Sequence, residues 1–410
     1  MTQRLSPWRV NDAVLYDALR DEFRSAMAAA IAKYTDDECV ALVRQLRSEM
    51  YGVDGFDRGE VVAVIDTVQG PSRTRSGRVA DSESLNAARM WEIVLRTLFA
   101  DVRPNETPAF VLLTGAPGAG TGRVIARLRD EYHGSLIPVS IEDLKVFHPR
   151  YLDPQFRWSP MGQNELSQFA ASLLQASISH ARENGYSLLL EGEYRSTDTA
   201  LGVARLLADS GYDVHVVAVA ARDYQSLLAA TSRGLHRIQE GQMAEFVTPA
   251  DNEQSVRDVS ALIVAAADSP LVERVTVLNP RGESAFDAER SESGMLTGAS
   301  AALSAAQSEA MSALEATQWL SELRHMTTYA RSLRSVPPSA IKSLIELHTM
   351  AIRRVVPELP VPVGSEAARI QQEKLAADLA ALKHTPVRPD VFDVAAPVAT
   401  PYGPGPSVSR

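Results

Sequence analysis

Apolar side chains recur at three- and four-residue intervals along the start of the chain. Leu15, Leu19, Phe23, Met27 and Ile31 form one stripe, and Val40, Val43 and Leu46 a second. This spacing predicts helices across residues 11–50, with Asp36-Asp37 starting the second. Residues 51–82 carry scattered Gly, a Pro and several Arg, and read as loop around one short strand, Val61–Ile65. A third helix, capped by Ser82 or Ser84, runs to about Ala100 with Met90, Ile93, Val94 and Leu98 on its apolar face.

After the polar connector Asp101–Pro108 the period changes. Short apolar runs predict strands at Ala109–Thr114, Leu136–Ser140, Leu188–Leu190, Asp213–Ala220 and Val275–Leu278. Helical stretches separate them at Val124–Tyr132, Glu165–Glu183, Thr199–Asp209, Tyr224–Gln242 and Asp251–Ala267. Strands alternating with helices imply βαβ units and a parallel sheet covered on both faces. Beyond the polar stretch Asp287–Gly294 the chain turns Ala- and Ser-rich. Helices are expected over Ala301–Leu333, Pro338–Val355 and Ser365–Leu382, with Pro337-Pro338 breaking the first from the second. Residues 384–410 are Pro-, Val- and Gly-rich without periodicity and are expected to be disordered. The expected organisation is a helical region over 1–105, an α/β domain over 106–285, a helical region over 296–383 and the tail.

Charge narrows the partners. A net charge of −10 repels phosphate backbones, so nucleic acid is not an expected partner, although one cleft can still be basic. The single cysteine, Cys39, allows no disulfide framework or Cys-based metal site within the chain. No apolar run approaches the roughly 18 residues a membrane span needs, and the N-terminus shows no signal-peptide core. The expectation is a cytoplasmic protein without a membrane partner; a specialised secretion route would leave no signal to read.

The most informative segment is Gly115-Ala116-Pro117-Gly118-Ala119-Gly120-Thr121-Gly122-Arg123, between an apolar strand and a helix. Strand, glycine loop and helix in this order make a phosphate loop, whose backbone N–H groups and helix N-terminus face an anion. Gly115 and Gly120 match GxxxxGK[ST], but Thr121 stands at the lysine position and Gly122 at the hydroxyl position. A missing lysine costs about 3 kcal/mol or more of transition-state stabilisation. Arg123, two positions on, is a substitute cation that starts elsewhere on the helix turn.

Three further segments carry a family resemblance. Leu136-Ile137-Pro138-Val139-Ser140-Ile141-Glu142-Asp143-Leu144-Lys145-Val146-Phe147-His148-Pro149 resembles the strand, acidic base, Lys/Arg and His-Pro segment of the zeta toxins, kinases of UDP-activated amino sugars. Counting back from His148-Pro149 places Glu142 at the catalytic carboxylate, with Asp143 expected to point elsewhere. Leu188–Leu190 followed by Glu191-Gly192-Glu193-Tyr194-Arg195 is similar to that family's Glu-Gly-Thr and arginine, with Glu193 in place of the threonine. Gln175 falls at the substrate-contacting glutamate. Arg233 matches the first of two phosphate-clamping arginines, Phe246 stands at the second, and Arg237 is a candidate replacement whose plainer reading is a surface cation.

The resemblance implies a P-loop kinase-like parallel sheet flanked by helices, with helical N- and C-terminal regions. It implies ATP and Mg2+ as cofactors, held at Gly115, Gly118, Gly120, Thr121, Gly122 and Arg123. It makes Glu142 and Arg233 the catalytic candidates, and Glu191, Glu193, Arg195, Gln175 and Lys145 the contacts to a nucleotide sugar. It further implies an antitoxin-like helical partner, or a cover in cis from residues 1–105. The alternatives are an active kinase, of a nucleotide sugar or another small molecule, and a pseudokinase that binds a nucleotide or a protein without turnover. Thr121, Gln175 and Phe246 together favour the attenuated form; one deliberate silencing change would account for Thr121 alone.

Overall fold

All seven residues of Ala109–Gly115 (β1) are buried, as a central strand with helices on both faces requires. The computed structural model describes residues 12–51, 65, 83–192, 194, 196–239, 244–279, 281–290, 296–333, 336–359 and 365–385. Helices among the described residues before the strand are α1 (Asp12–Lys33), α2 (Asp36–Tyr51) and α3 (Glu83–Leu98). The strand expected at Val61–Ile65 falls outside the described residues apart from Ile65, which is buried and helical, not extended. The tail lies outside them from residue 386.

After β1 come α4 (Thr121–Glu131), β2 (Ile137–Ser140), the short helices α5 (Ile141–Leu144) and α6 (Pro154–Arg157), and α7 (Pro160–Asn184). Then follow β3 (Leu188–Gly192), α8 (Thr197–Ala208), β4 (Asp213–Val219), α9 (Asp223–Gln239), α10 (Pro249–Asp268), β5 (Arg274–Leu278) and β6 (Ser284–Glu289). The sheet order is β2-β3-β1-β4-β5-β6. The first five strands are parallel, and β6 pairs antiparallel with β5. The β6 edge strand is absent from the sequence reading. Its side chains are largely exposed, so no apolar run announces it. Chain order reverses at β1, which lies between β3 and β4, and ligands of open α/β sheets bind at such a point, beyond the strand C-termini.

The C-terminal helices are α11 (Ala299–Ser308), α12 (Ala313–Ser332), α13 (Pro338–Met350) and α14 (Glu366–Leu382). The single helix expected over Ala301–Leu333 is two, because Ser312 and Glu315 form a capping box that restarts the chain. Among the described residues two hydrophobic cores result. The larger joins the sheet to α1, α2, α3 and α11. The smaller packs α12, α13 and α14 against Tyr224, Leu227, Leu228 and Leu235 of α9. Helix α1 is integral to the larger core: Phe23, Ala26, Met27 and Ala30 are fully buried. Among the described residues no helix is long and apolar enough to cross a membrane.

Candidate functional site

The loop from β1 to α4 turns on two left-handed glycines, Gly118 at φ 76° and Gly120 at φ 87°. A Cβ on Gly118 would lie 2.8 Å from the Ala229 Cβ and 2.9 Å from the Ser226 carbonyl oxygen, so only glycine lets the loop approach α9 this closely. The Ser226 hydroxyl lies 2.6 Å from the Pro117 carbonyl oxygen and ties the loop to the same helix. Helix α4 starts from Gly120 with no side-chain cap, leaving its first N–H groups facing the end of the sheet. Gly115, Gly118, Gly120, Thr121 and Gly122 thus lie together in one tight turn between β1 and α4. Arg123 is exposed.

Beside the loop lies a buried network of opposite charges. The Thr121 hydroxyl donates to Glu191 Oε1 at 2.6 Å, at the C-terminal end of β3. The same oxygen accepts from Arg20 Nη1 at 2.8 Å, and Oε2 accepts from Arg20 Nη2 at 2.7 Å, a two-pronged contact from α1. One turn along α1, Arg24 Nε donates to Asp143 Oδ1 at 2.8 Å. The Tyr51 hydroxyl donates to Asp143 Oδ2 at 2.6 Å and accepts from Arg20 at 3.1 Å. Arg47 reaches the Pro138 carbonyl at 2.6 Å with its guanidinium against the Tyr51 ring. Asp21 bridges Arg24 Nη1 at 3.1 Å and Arg237 Nη1 of α9 at 3.0 Å.

These contacts set the ionisation. Burial alone would raise the carboxyl of Asp143, but Arg24, Arg20 and the Tyr51 hydroxyl hold it well below the usual carboxylate range. Glu191 is lowered in the same way: Arg20 outweighs burial, with the Thr121 hydroxyl adding to it. Asp21 is lowered by Arg233, Arg24, Arg237 and Arg157 against its own burial. Burial pushes the Tyr51 phenol up, so it stays protonated and donates.

The zeta toxin family model matches residues 95–292, a span that holds the loop, Asp143, Glu191 and the arginines of α9. The chain carries a zeta toxin domain. Toxin PezT of Streptococcus pneumoniae is 26% identical over 139 residues, covering 34% of this chain and 55% of that protein. Toxin zeta of Streptococcus pyogenes is 24% identical over 155 residues, 38% of this chain and 54% of that one. The chain thus spans about half the length of the curated relatives it matches. A solved structure from the PezAT chromosomal toxin–antitoxin system of Streptococcus pneumoniae overlays with a TM-score of 0.52 at 19% identity, covering 60% of this chain and 99% of that one. That likeness is one of fold, and the fold is P-loop kinase-like.

Within the zeta toxin domain the expected residues divide. Glu142 is turned outward, its side chain 57% exposed and paired to Lys145 at 2.6 Å. Asp143 is directed inward, 3% exposed, toward Arg24 and Tyr51. The reason is local. Ser140 caps the short helix α5 by accepting from the Asp143 N–H at 3.1 Å, which fixes the turn and aims Asp143 at α1. Glu191 sits at the centre of the network. Arg233 and Arg237 both act on Asp21, and Arg237 is largely buried in that pair, not a surface cation. Gln175 is exposed on α7. Phe246 is buried against Gly234, where a Cβ would come within 2.6 Å of its ring; it serves packing, not phosphate. Glu193 and Arg195 lie outside the described residues.

Sequence reasoning missed Arg20, Asp21, Arg24, Tyr51 and Arg47. The available signal was Arg20 and Arg24 at four-residue spacing beside the apolar stripe Leu19-Phe23-Met27, where a charge is either buried with a partner or misplaced. Their partners lie more than a hundred residues away, so spacing alone did not identify them.

The backbone of the loop fits a phosphate. The carboxylates do not fit magnesium in this arrangement, because Asp143 and Glu191 each already accept from a guanidinium. Among the described residues no group of three or more His, Cys, Asp or Glu is placed to hold a metal ion.

Proposed function

We propose that the zeta toxin domain binds the phosphates of a nucleotide, ATP by family resemblance, at the Gly115–Gly122 turn, with phosphoryl transfer attenuated. The carrying observation is the turn itself: left-handed glycines and an uncapped helix start at the C-terminal edge of β1, with Thr121 in the lysine's place. Thr121 bonds to Glu191 and carries no charge to a transferring phosphate. Arg233 and Arg237 support the same reading, because they neutralise a carboxylate where a clamp for an anion would sit. Glu142, exposed beside Lys145, stays the candidate base; Asp143 is buried and held as an anion by Arg24, Arg20 and the Tyr51 hydroxyl. Magnesium would require Arg20 or Arg24 to release a carboxylate.

Calorimetry with ATP–magnesium and a phosphotransfer assay, with and without Thr121→Lys, test this reading. The expected result is measurable ATP binding, turnover near background, and a rise of about a hundredfold with the lysine restored, the rate equivalent of roughly 3 kcal/mol. Ordinary kinase turnover by the unaltered chain would favour the second reading, an active kinase of a nucleotide sugar or another small molecule. For a partner we extend the toxin–antitoxin origin of the S. pneumoniae protein to an antitoxin-like helical protein. Residues 1–105 are the cis alternative, supported by α1 lying over Glu191 and Asp143. Removing that region would open the main core, so the cis cover is better tested by point substitutions in α1.

A further inference from the structure

We propose that Arg20 supplies to bound phosphate the positive charge that the loop lost at position 121, so that the anion site is completed by α1. The inference rests on the reading of the Gly115–Gly122 turn as a phosphate site. Four observations carry it. First, Arg20 and Thr121 bond to one and the same carboxylate oxygen, Glu191 Oε1, at 2.8 and 2.6 Å. The guanidinium therefore lies within a lysine side chain's length of the residue that normally bears the charge. Second, Arg20 is only 5% exposed, and its Nε is buried without a hydrogen-bond acceptor. A buried guanidinium N–H left unpaired is costly, and an oxyanion is the acceptor that suits it. Third, cations outnumber carboxylates in the cluster: Arg20, Arg24 and Arg237 pair with Glu191, Asp143 and Asp21, while Arg47 lies against the Tyr51 ring with the Pro138 carbonyl as its acceptor. In a chain of net charge −10 this is a local basic pocket at the mouth of a phosphate loop. Fourth, α1 is locked into the main core by Phe23, Ala26, Met27 and Ala30, so Arg20 is held as rigidly as a loop lysine would be.

Arg20 fills the vacancy better than Arg123, which is nearer in sequence but exposed. Glu191 then has two duties: it aims the guanidinium and partly offsets its charge. That offset is why the chain is expected to bind phosphates well and transfer them poorly. The ligand class is a nucleoside polyphosphate or an inorganic polyphosphate chain.

The test measures binding of ATP and of inorganic tripolyphosphate to the full chain by calorimetry, with thermal unfolding as the check on folding. Arg20→Met is expected to weaken both ligands tenfold or more, and Arg20→Lys to recover part of the loss. Thr121→Lys in the Arg20→Met background is expected to restore binding. The deciding comparison is Glu191→Gln, which breaks the same ion pair yet leaves the guanidinium in place. A purely structural role for the pair predicts that both variants weaken binding alike. The relocated charge predicts that Glu191→Gln tightens it. Wild-type affinity in folded Arg20→Met, or equal weakening in both variants, overturns the proposal while leaving the phosphate site standing. No binding by any variant, Thr121→Lys included, retires the phosphate site and this inference together.

Discussion

Asp143 and Glu142 are neighbours in sequence and opposites in environment, and replacing each in turn tests the electrostatic picture. Asp143→Asn removes a carboxylate whose side chain is 5% exposed and which holds Arg24 at 2.8 Å and Arg20 at 3.5 Å. Both guanidiniums stay buried, and Arg24 loses its shortest anionic contact. Taking one partner from a buried ion pair costs up to about 3–5 kcal/mol, and here Arg24 is left with Asp21 alone, at 3.1 Å. Glu142→Gln breaks one pair to Lys145 on a carboxylate that is 57% exposed, and is expected to cost less than about 1 kcal/mol. For an ordered chain of this size a loss of 3–5 kcal/mol lowers Tm by about 4–7 °C, and Glu142→Gln by roughly 1 °C. Calorimetry and denaturant unfolding read both. The double variant Asp143→Asn/Arg24→Met should regain part of the loss if the penalty is the stranded charge. The acid limb adds a second readout. The folded carboxyl of Asp143 lies below its unfolded value of 3.8, so its stabilisation is present above that pH and fades as pH falls through the folded value. Asp143→Asn should therefore flatten the loss of stability at low pH. Equal and small effects of the two substitutions, with no rescue by Arg24→Met, would refute the reasoning.

Three other expectations follow from single environments. Gly118→Ala combines the left-handed penalty of about 1–2 kcal/mol with a contact 2.8 Å from Ala229. Thermal unfolding should show a loss of roughly 2–4 kcal/mol once overpacking is included. His215, bonded to Tyr132 at 2.9 Å and Thr276 at 2.8 Å, is pulled from 6.5 to about 3, chiefly by burial. The unfolded state therefore binds the extra proton first, and stability falls as pH drops below 6.5. His215→Gln should remove about 2–3 kcal/mol of that fall between pH 6.5 and 4.5. His348, pulled to about 4 by burial, acts in the same window, so the curve flattens without becoming level. The Cys39 thiol is fully buried and pushed up to about 12 by that burial. A thiol reagent should leave the native chain unmodified and react on unfolding; modification of the folded protein at the rate of a free thiol would contradict the packing of α2.

Local pattern was enough for most of the architecture. Apolar runs and three-to-four spacing located five strands and the main helices, because each such segment must bury one face whatever its neighbours are. The glycine turn was legible too, since Gly118 and Gly120 answer a requirement of the backbone itself. Edge strand β6 was not legible, because a strand with little to bury leaves no apolar run. The charges of the site belonged to the tertiary structure. Arg20 reaches Glu191 across 171 positions and Arg24 reaches Asp143 across 119, and no periodicity links residues that far apart. The surroundings of Asp143 are tertiary in the same way. Sequence placed Glu142 and Asp143 at the start of one short helix, and the Ser140 cap turns Asp143 inward; only α1 brings the guanidiniums that surround it.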